Sequence, residues 1–186
     1  MNTNFTIKNL PLEGAKSIIP FYVEDDRGFF LKCVEKDIFE NWGLKLNIYE
    51  DFESLSHKGV IRGLHFQTHK PQTKIVRTIF GTIRDVIVDL RKDSATFGQY
   101  TDVILSDTNH EILWIPEGFA HGFEVLSDTA LVSYKCIGKY LKEYDTGIVW
   151  DDPEIGIKWS TFNPIISKRD AGLMSFHEFK EKHRGF

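Results

Sequence analysis

The chain has 186 residues, 41% of them hydrophobic and 13% aromatic, with a formal charge of −4; that is enough to bury a substantial core, and it predicts a single domain over residues 1–186. Slight net acidity excludes the long basic grooves that hold nucleic acid and the cationic patches that grip anionic membranes, while leaving room for a few arginines around a small anion. No apolar run approaches the ~20 residues of a membrane-spanning helix, and the start MNTNFTIKNLPLEG has neither the basic nor the apolar region of a secretory leader, so a cytoplasmic protein is expected.

In chain order the dominant period is two. SIIPFYV (17–23), GFFLKCV (28–34), LNIYEDF (46–52), GVIRGLHF (59–66), KIVRTIF (74–80), IRDVIVDL (83–90), YTDVILS (100–106), EILWIP (111–116) and ALVSYKCI (130–137) are short, β-branched or aromatic, and set apart by Gly, Asp, Asn or Ser. Helical periodicity is confined to about Glu35–Trp42 and to SFHEFKEKH (175–183). Strands at this spacing predict an all-β sandwich or barrel with short peripheral helices. Cys33 and Cys136 lack disulfide-framework or metal-knuckle spacing and read as reduced thiols.

The strand Gly59–Gln67 carries the first chemical signal. Strict alternation puts Val60, Arg62, Leu64 and Phe66 on one face and Ile61, Gly63, His65 and Gln67 on the other. A barrel filled throughout by side chains has no need of Arg62 and His65, whereas one with a ligand cavity uses inward polar groups. Arg27, Lys74, His121, Tyr134 and Asp170 lie in similar strand or loop surroundings, and Gly118 and Gly122 bracket His121. Each alone has a mundane reading: a solvated lysine, a core phenol, a turn aspartate. Together they supply a base, an acid, cations and an orienting carboxylate. Cupin metal sites need two histidines one residue apart, but Gln67 follows His65 at that spacing, and His69, His121 and Glu124 do not complete a ligand set. No metal and no cofactor is expected, and metal-free acid–base chemistry is favoured.

DDRGFF, KGVIRGLHFQ, PQTKIVR, GTIRDVIVDLRKDSATFGQY, LWIPEGFAHGFEVLSD, GIVWDDPEIGIKW and SKRD, in this order from about Gly14 to Asp170, resemble the dTDP-4-dehydrorhamnose 3,5-epimerase family. The resemblance implies a metal-free, cupin-like jelly roll, a homodimer formed through its sheets, and a nucleotide-diphosphate 4-keto-6-deoxy sugar as substrate, inverted at C3, C5 or both in deoxysugar biosynthesis. It implies His65 as base oriented by Asp170, Tyr134 as proton donor on the opposite face, and Lys74 beside the enolate oxygen. Arg27 and Arg62 match positions that contact the diphosphate, His121 matches a substrate-contacting histidine, and Asp145 falls at a commonly acidic position. Departures lie at Lys32, at Glu50 and Phe52 where the family has Gln and Asn, at Lys139, and at Arg169 in place of lysine. They touch positions near sugar or nucleotide, so reaction type is better fixed than substrate. Phe52, if turned inward, favours a sugar with hydrogen in place of a hydroxyl, such as a 3,6-dideoxy sugar, and if turned into the sheet leaves an ordinary rhamnose-pathway 3,5-epimerase; Lys32 and Glu50 are expected to pair. The rival from the same fold, a sugar 3,4-ketoisomerase, needs the histidine that Gln67 replaces. A silent sugar-nucleotide binding module needs no His65, Asp170 and Tyr134.

Overall fold

The structure is a computed structural model and describes residues 4–186. The period-two runs form β1 (Thr6–Asn9), β2 (Lys16–Ile19), β3 (Phe21–Asp25), β4 (Gly28–Lys32), β5 (Ile48–His57), β6 (Ile61–Gln67), β7 (Thr73–Phe80), β8 (Thr82–Asp89), β9 (Tyr100–Ser106), β10 (Ile112–Ile115), β11 (Phe119–Val125), β12 (Thr129–Ile137) and β13 (Asp145–Gly147). The helices are short: α1 (Lys36–Asn41), α2 (Lys168–Ala171) and α3 (Phe176–His183). Pro20, which has no N–H to give a ladder, divides the run that reads as one strand in the sequence. Its first half, β2, stays in a large sheet, and its second half, β3, leaves to form a two-stranded ribbon with β4.

The remaining strands make two antiparallel sheets, ordered β1-β2-β10-β7-β12-β5 and β13-β6-β11-β8-β9. Their inner faces meet in a core of Val76, Leu113, Ile115 and Val132 from the first sheet and Ile83, Ile87, Leu105, Phe119 and Phe123 from the second. Each such side chain contributes about 1.5–3 kcal/mol by leaving water. The outer face of the second sheet is covered as well: Leu64, Phe66, Val86, Val88 and Ala120 pack beneath Ile148, Ile155, Ile157 and the α3 residues Phe176 and Phe179. A capping box between Ser175 and Glu178 fixes where α3 begins. On the first sheet, α1 brings Phe39 over Ile18, Ile75, Ile112 and Trp114.

Strict alternation fails along β6. His65 lies opposite His121, but Arg62 lies opposite Phe123, so three steps on β6 match two on β11. This bulge turns Arg62 and His65 to the same side, correcting the expectation of opposite faces. Close backbone approach makes it: a Cβ on Gly63, whose φ is +128°, would stand 2.5 Å from Gly122 Cα, and one on Gly122 would stand 2.6 Å from the Arg62 carbonyl oxygen. Only glycine fits at either position.

Candidate active site

Between the two sheets lies a cavity of about 190 Å³ lined by Phe52, Ser54, Arg62, His65, Lys74, His121, Gly122, Phe123 and Tyr134. A larger surface groove of about 580 Å³ is lined by Glu13, Asp93, Glu117, Arg91 and Phe186. Arg91 there is bound to Asp89 through Nε and Nη2, and no base–acid pair faces that groove. The smaller cavity gathers the acid–base side chains.

From the five-stranded sheet, β6 presents His65, whose Nε2 is 2.8 Å from Asp170 Oδ1. Asp170 sits on α2, where its backbone N–H is capped by Ser167 Oγ at 3.0 Å, and its Oδ2 accepts from the Gly63 amide at 3.3 Å. Burial works against the charged carboxyl, but the His65 hydrogen bond and charge together with the Gly63 amide outweigh it and hold Asp170 below the usual carboxylate range. A second pair lies deeper. His121 Nε2, on β11, is 3.0 Å from Asp85 Oδ2 on β8, and both residues are buried. Burial pushes the His121 imidazole down and the Asp85 carboxyl up, each towards its neutral form, against their mutual attraction. At the open side, Arg62 is held by Nε to Ser56 Oγ at 2.8 Å and by Nη2 to the Leu55 carbonyl at 3.3 Å, which leaves Nη1 for an anion.

The six-stranded sheet faces these groups with different material. Among the described residues Lys74 on β7 makes one long 3.5 Å hydrogen bond, to the His65 carbonyl; burial pushes its ammonium below the ordinary lysine range, while Cys136, Asp145 and Asp85 pull the other way. Tyr134 on β12 is buried, and that burial raises its phenol well above the ordinary tyrosine range despite a 3.1 Å hydrogen bond with Ser54. Phe52, directly opposite Tyr134 on β5, stacks on its ring and does face the cavity.

Other residues singled out in the sequence fall outside this cavity. Arg27 is on the ribbon, paired with Asp25 at 2.5 Å. Lys32 pairs with Glu35 at 2.6 Å rather than with Glu50, which instead accepts from Gln72 Nε2 at 3.1 Å; the expected Lys32–Glu50 pair is not formed, because a neighbour three residues away satisfies the lysine first. Asp145 is bound by Arg169 at 2.7 Å and by the Tyr140 hydroxyl at 3.0 Å, behind the Lys74 wall. Gln67 donates to the Lys70 and Lys139 carbonyls and accepts from the Leu141 amide, so it staples two loops together. Among the described residues no three His, Cys, Asp or Glu side chains are grouped to hold a metal ion, and no helix is long and apolar enough to cross a membrane.

Reading by sequence missed Asp85 and Ser54. Asp85 had a signal: alternation in IRDVIVDL sets it between Ile83 and Ile87 on a core face, where a carboxyl needs a partner. Ser54 had the weaker signal of sharing a face with Phe52.

A family model described as dTDP-4-dehydrorhamnose 3,5-epimerase matches residues 9–178. A dTDP-4-dehydrorhamnose 3,5-epimerase of Methanothermobacter thermautotrophicus is 52% identical over 170 residues, 90% of this chain and 92% of the relative. Among solved structures, dTDP-6-deoxy-D-glucose-3,5-epimerase RmlC of Legionella pneumophila, in complex with dTDP-4-keto-L-rhamnose, superposes with a TM-score of 0.90 at 39% identity over 94% of each chain. NovW, a 4-keto-6-deoxy sugar epimerase of Streptomyces spheroides, superposes with a TM-score of 0.92 at 33% identity, covering 97% of this chain and 92% of NovW. The all-β, cupin-like jelly roll expected from the sequence is the architecture these proteins share with it.

Proposed function

Since the chain belongs to the dTDP-4-dehydrorhamnose 3,5-epimerase family, we propose that it inverts C3, C5 or both in a nucleotide-linked 4-keto-6-deoxy sugar through an enolate. One observation carries the reading: a histidine–carboxylate pair and a buried phenol stand on opposing sheets across a single cavity. Inversion needs two proton carriers on opposite faces of one carbon, and the sandwich supplies one from each sheet.

With Nε2 bound to Asp170, the imidazole proton sits on Nε2 and Nδ1 carries the lone pair. Nδ1 removes the proton beside the keto group, the electron pair moves into the enolate, and Asp170 stabilises the imidazolium that results. Lys74 lies where a cation stabilises the enolate oxygen. Tyr134 then delivers its proton to carbon from the other face, and the keto group re-forms; solvent restores the tyrosine proton and takes that of His65. Arg62 offers a guanidinium fork to the diphosphate at the cavity mouth. His121, fixed by Asp85, presents its imidazole to the sugar. Thymidine diphosphate is the nucleotide to test first. The histidine spacing that a sugar 3,4-ketoisomerase needs is broken by Gln67, which supports epimerisation over keto transfer.

The shared core supports treating the whole chain as one domain, and a cytoplasmic location goes with a nucleotide-sugar substrate. A homodimer is supported by large apolar side chains left exposed on edge strand β5 (Ile48, Tyr49, Leu55) and on the ribbon (Phe29, Phe30). Arg169, Asp145, Lys32 and Glu50 lie outside the cavity and act, through the pairs they form, on the segments around it rather than on the reacting carbons.

The test is solvent deuterium incorporation into a panel of 4-keto sugar nucleotides, including a 3-deoxy analogue, read carbon by carbon. Exchange at C3 or C5 with inversion is the expected result, undiminished by exhaustive chelation. Migration of the keto group, or activity lost on chelation and restored by one divalent ion, overturns it.

A further inference from the structure

Tyr134 is braced from the edge of its own sheet. Its cross-strand partner is Phe52, and the two rings stack with centroids 4.8 Å apart and planes 16° from parallel. Two residues along β5, Ser54 Oγ lies 3.1 Å from the phenol oxygen. His121 closes the arrangement with its ring edge, 6.2 Å away at 68°. Phe52 is 47% exposed, so it fills little of the core. Its ring contact is with the tyrosine.

We propose that Phe52 and Ser54 are positioning residues that hold the Tyr134 ring and hydroxyl at the angle from which the far face of the enolate is protonated, and thereby set how often deprotonation ends in inversion. The proposal rests on the reading of Tyr134 as proton donor. A tyrosine hydroxyl swings on a long lever, since a small rotation about Cα–Cβ displaces the oxygen by an ångström or more. Displacement on that scale costs a reaction at carbon on the order of a hundredfold. The face of Phe52 limits the rotation, and the Ser54 hydrogen bond limits the swing of the hydroxyl. Phe52 stacks on Tyr134 and Ser54 bonds its hydroxyl, whereas His65 is oriented from Asp170, so the clamp acts on the donor rather than on deprotonation.

The experiment measures two rates in D2O on dTDP-4-keto-6-deoxyglucose: deuterium wash-in at the reacting carbon, and inversion. Phe52→Leu keeps wash-in within about twofold and lowers inversion per exchange event by about tenfold, ~1.4 kcal/mol. Phe52→Tyr, which keeps a ring to stack, restores the wild-type ratio. Ser54→Ala lowers the ratio in the same direction by a smaller factor. Thermal unfolding of each variant, expected within a few degrees of wild type for half-exposed sites on an edge strand, separates misfolding from misplacement. An unchanged ratio in Phe52→Leu overturns the clamp, as does an equal fall in wash-in and inversion, which marks Phe52 as a simple substrate contact. Absence of wash-in from the wild-type enzyme overturns the epimerase reading itself and the donor role with it.

Discussion

The two walls of the cavity solve opposite electrostatic problems. The five-stranded wall backs its imidazoles with carboxyl groups, His65 onto Asp170 and His121 onto Asp85, the deeper pair pushed by burial towards its neutral form, and Arg62 is tied to Ser56. On the six-stranded wall burial favours the neutral phenol of Tyr134, which is stacked on Phe52 and hydrogen-bonded with the Ser54 hydroxyl. A base that must become a cation benefits from an anion behind it, whereas an acid that must still hold its proton at neutral pH benefits from the absence of one. Lys74, on the neutral wall, is the exception. In the proposed mechanism a cation there stands opposite the base and beside the oxygen that gains charge. The division teaches that a sandwich separates base from acid by topology, since each belongs to a different sheet.

The comparison breaks most visibly if the walls are interchangeable. His65→Ala should abolish both deuterium wash-in and inversion, by about 10³-fold or more, while Tyr134→Phe should keep wash-in within about tenfold and lose inversion by about 10²-fold; similar profiles for the two variants would erase the distinction. Next in size, Lys74→Met should lower kcat by about 10²–10³-fold. Because burial favours the neutral amine, the wild-type rate should fall on the alkaline side below the ordinary lysine value of ~10.4. A pH–rate profile of Lys74→Met that kept the same alkaline limb would assign that limb elsewhere.

The smallest effect concerns stability. The Asp170 pKa is lower in the folded protein than in the unfolded chain, so the unfolded state binds the extra proton. The carboxylate's contribution is present above an ordinary value of ~3.9 and is lost as pH falls through the folded value. Asp85 is shifted the other way; its contribution is present below the ordinary value and is lost as pH rises through the folded one. Urea unfolding from pH 3 to pH 8 should therefore show Asp170→Asn losing about 1–3 kcal/mol at neutral pH. Asp85→Asn, which retains an acceptor for His121, should stay within ~1 kcal/mol of wild type. Equal losses would mean that the two pairs are electrostatically alike.

Strands with one wet face were legible in the sequence. YTDVILS became β9 without a shift of boundary, and the helical stretch near Glu35–Trp42 became α1. Strand β11 was not legible, because all seven of its residues are buried and no alternation survives in FAHGFEV. His121 therefore read only as a histidine in strand or loop surroundings. Of the site, His65, Asp170, Tyr134, Lys74, Arg62 and His121 were named from the chain, and the structure gathers them at or directly behind one cavity. Arg27 and Lys32 were not separable from these, since nothing in DDRGFFLK tells that a proline has already diverted the strand into a ribbon. Asp85 was hidden for a different reason: one aspartate in an apolar strand declares a need for a partner but does not name it.

The bulge on β6 bears on anyone who would move this chemistry elsewhere. Written as letters, RGLH looks portable, a four-residue cassette with its guanidinium and imidazole already spaced. Grafted onto a regular strand of another scaffold, the same four letters would aim the two side chains into different compartments, one towards solvent and one towards the interior. The transferable unit is instead a pair of strands, with Gly63 on one and Gly122 on the other drawn together until no side chain fits between them.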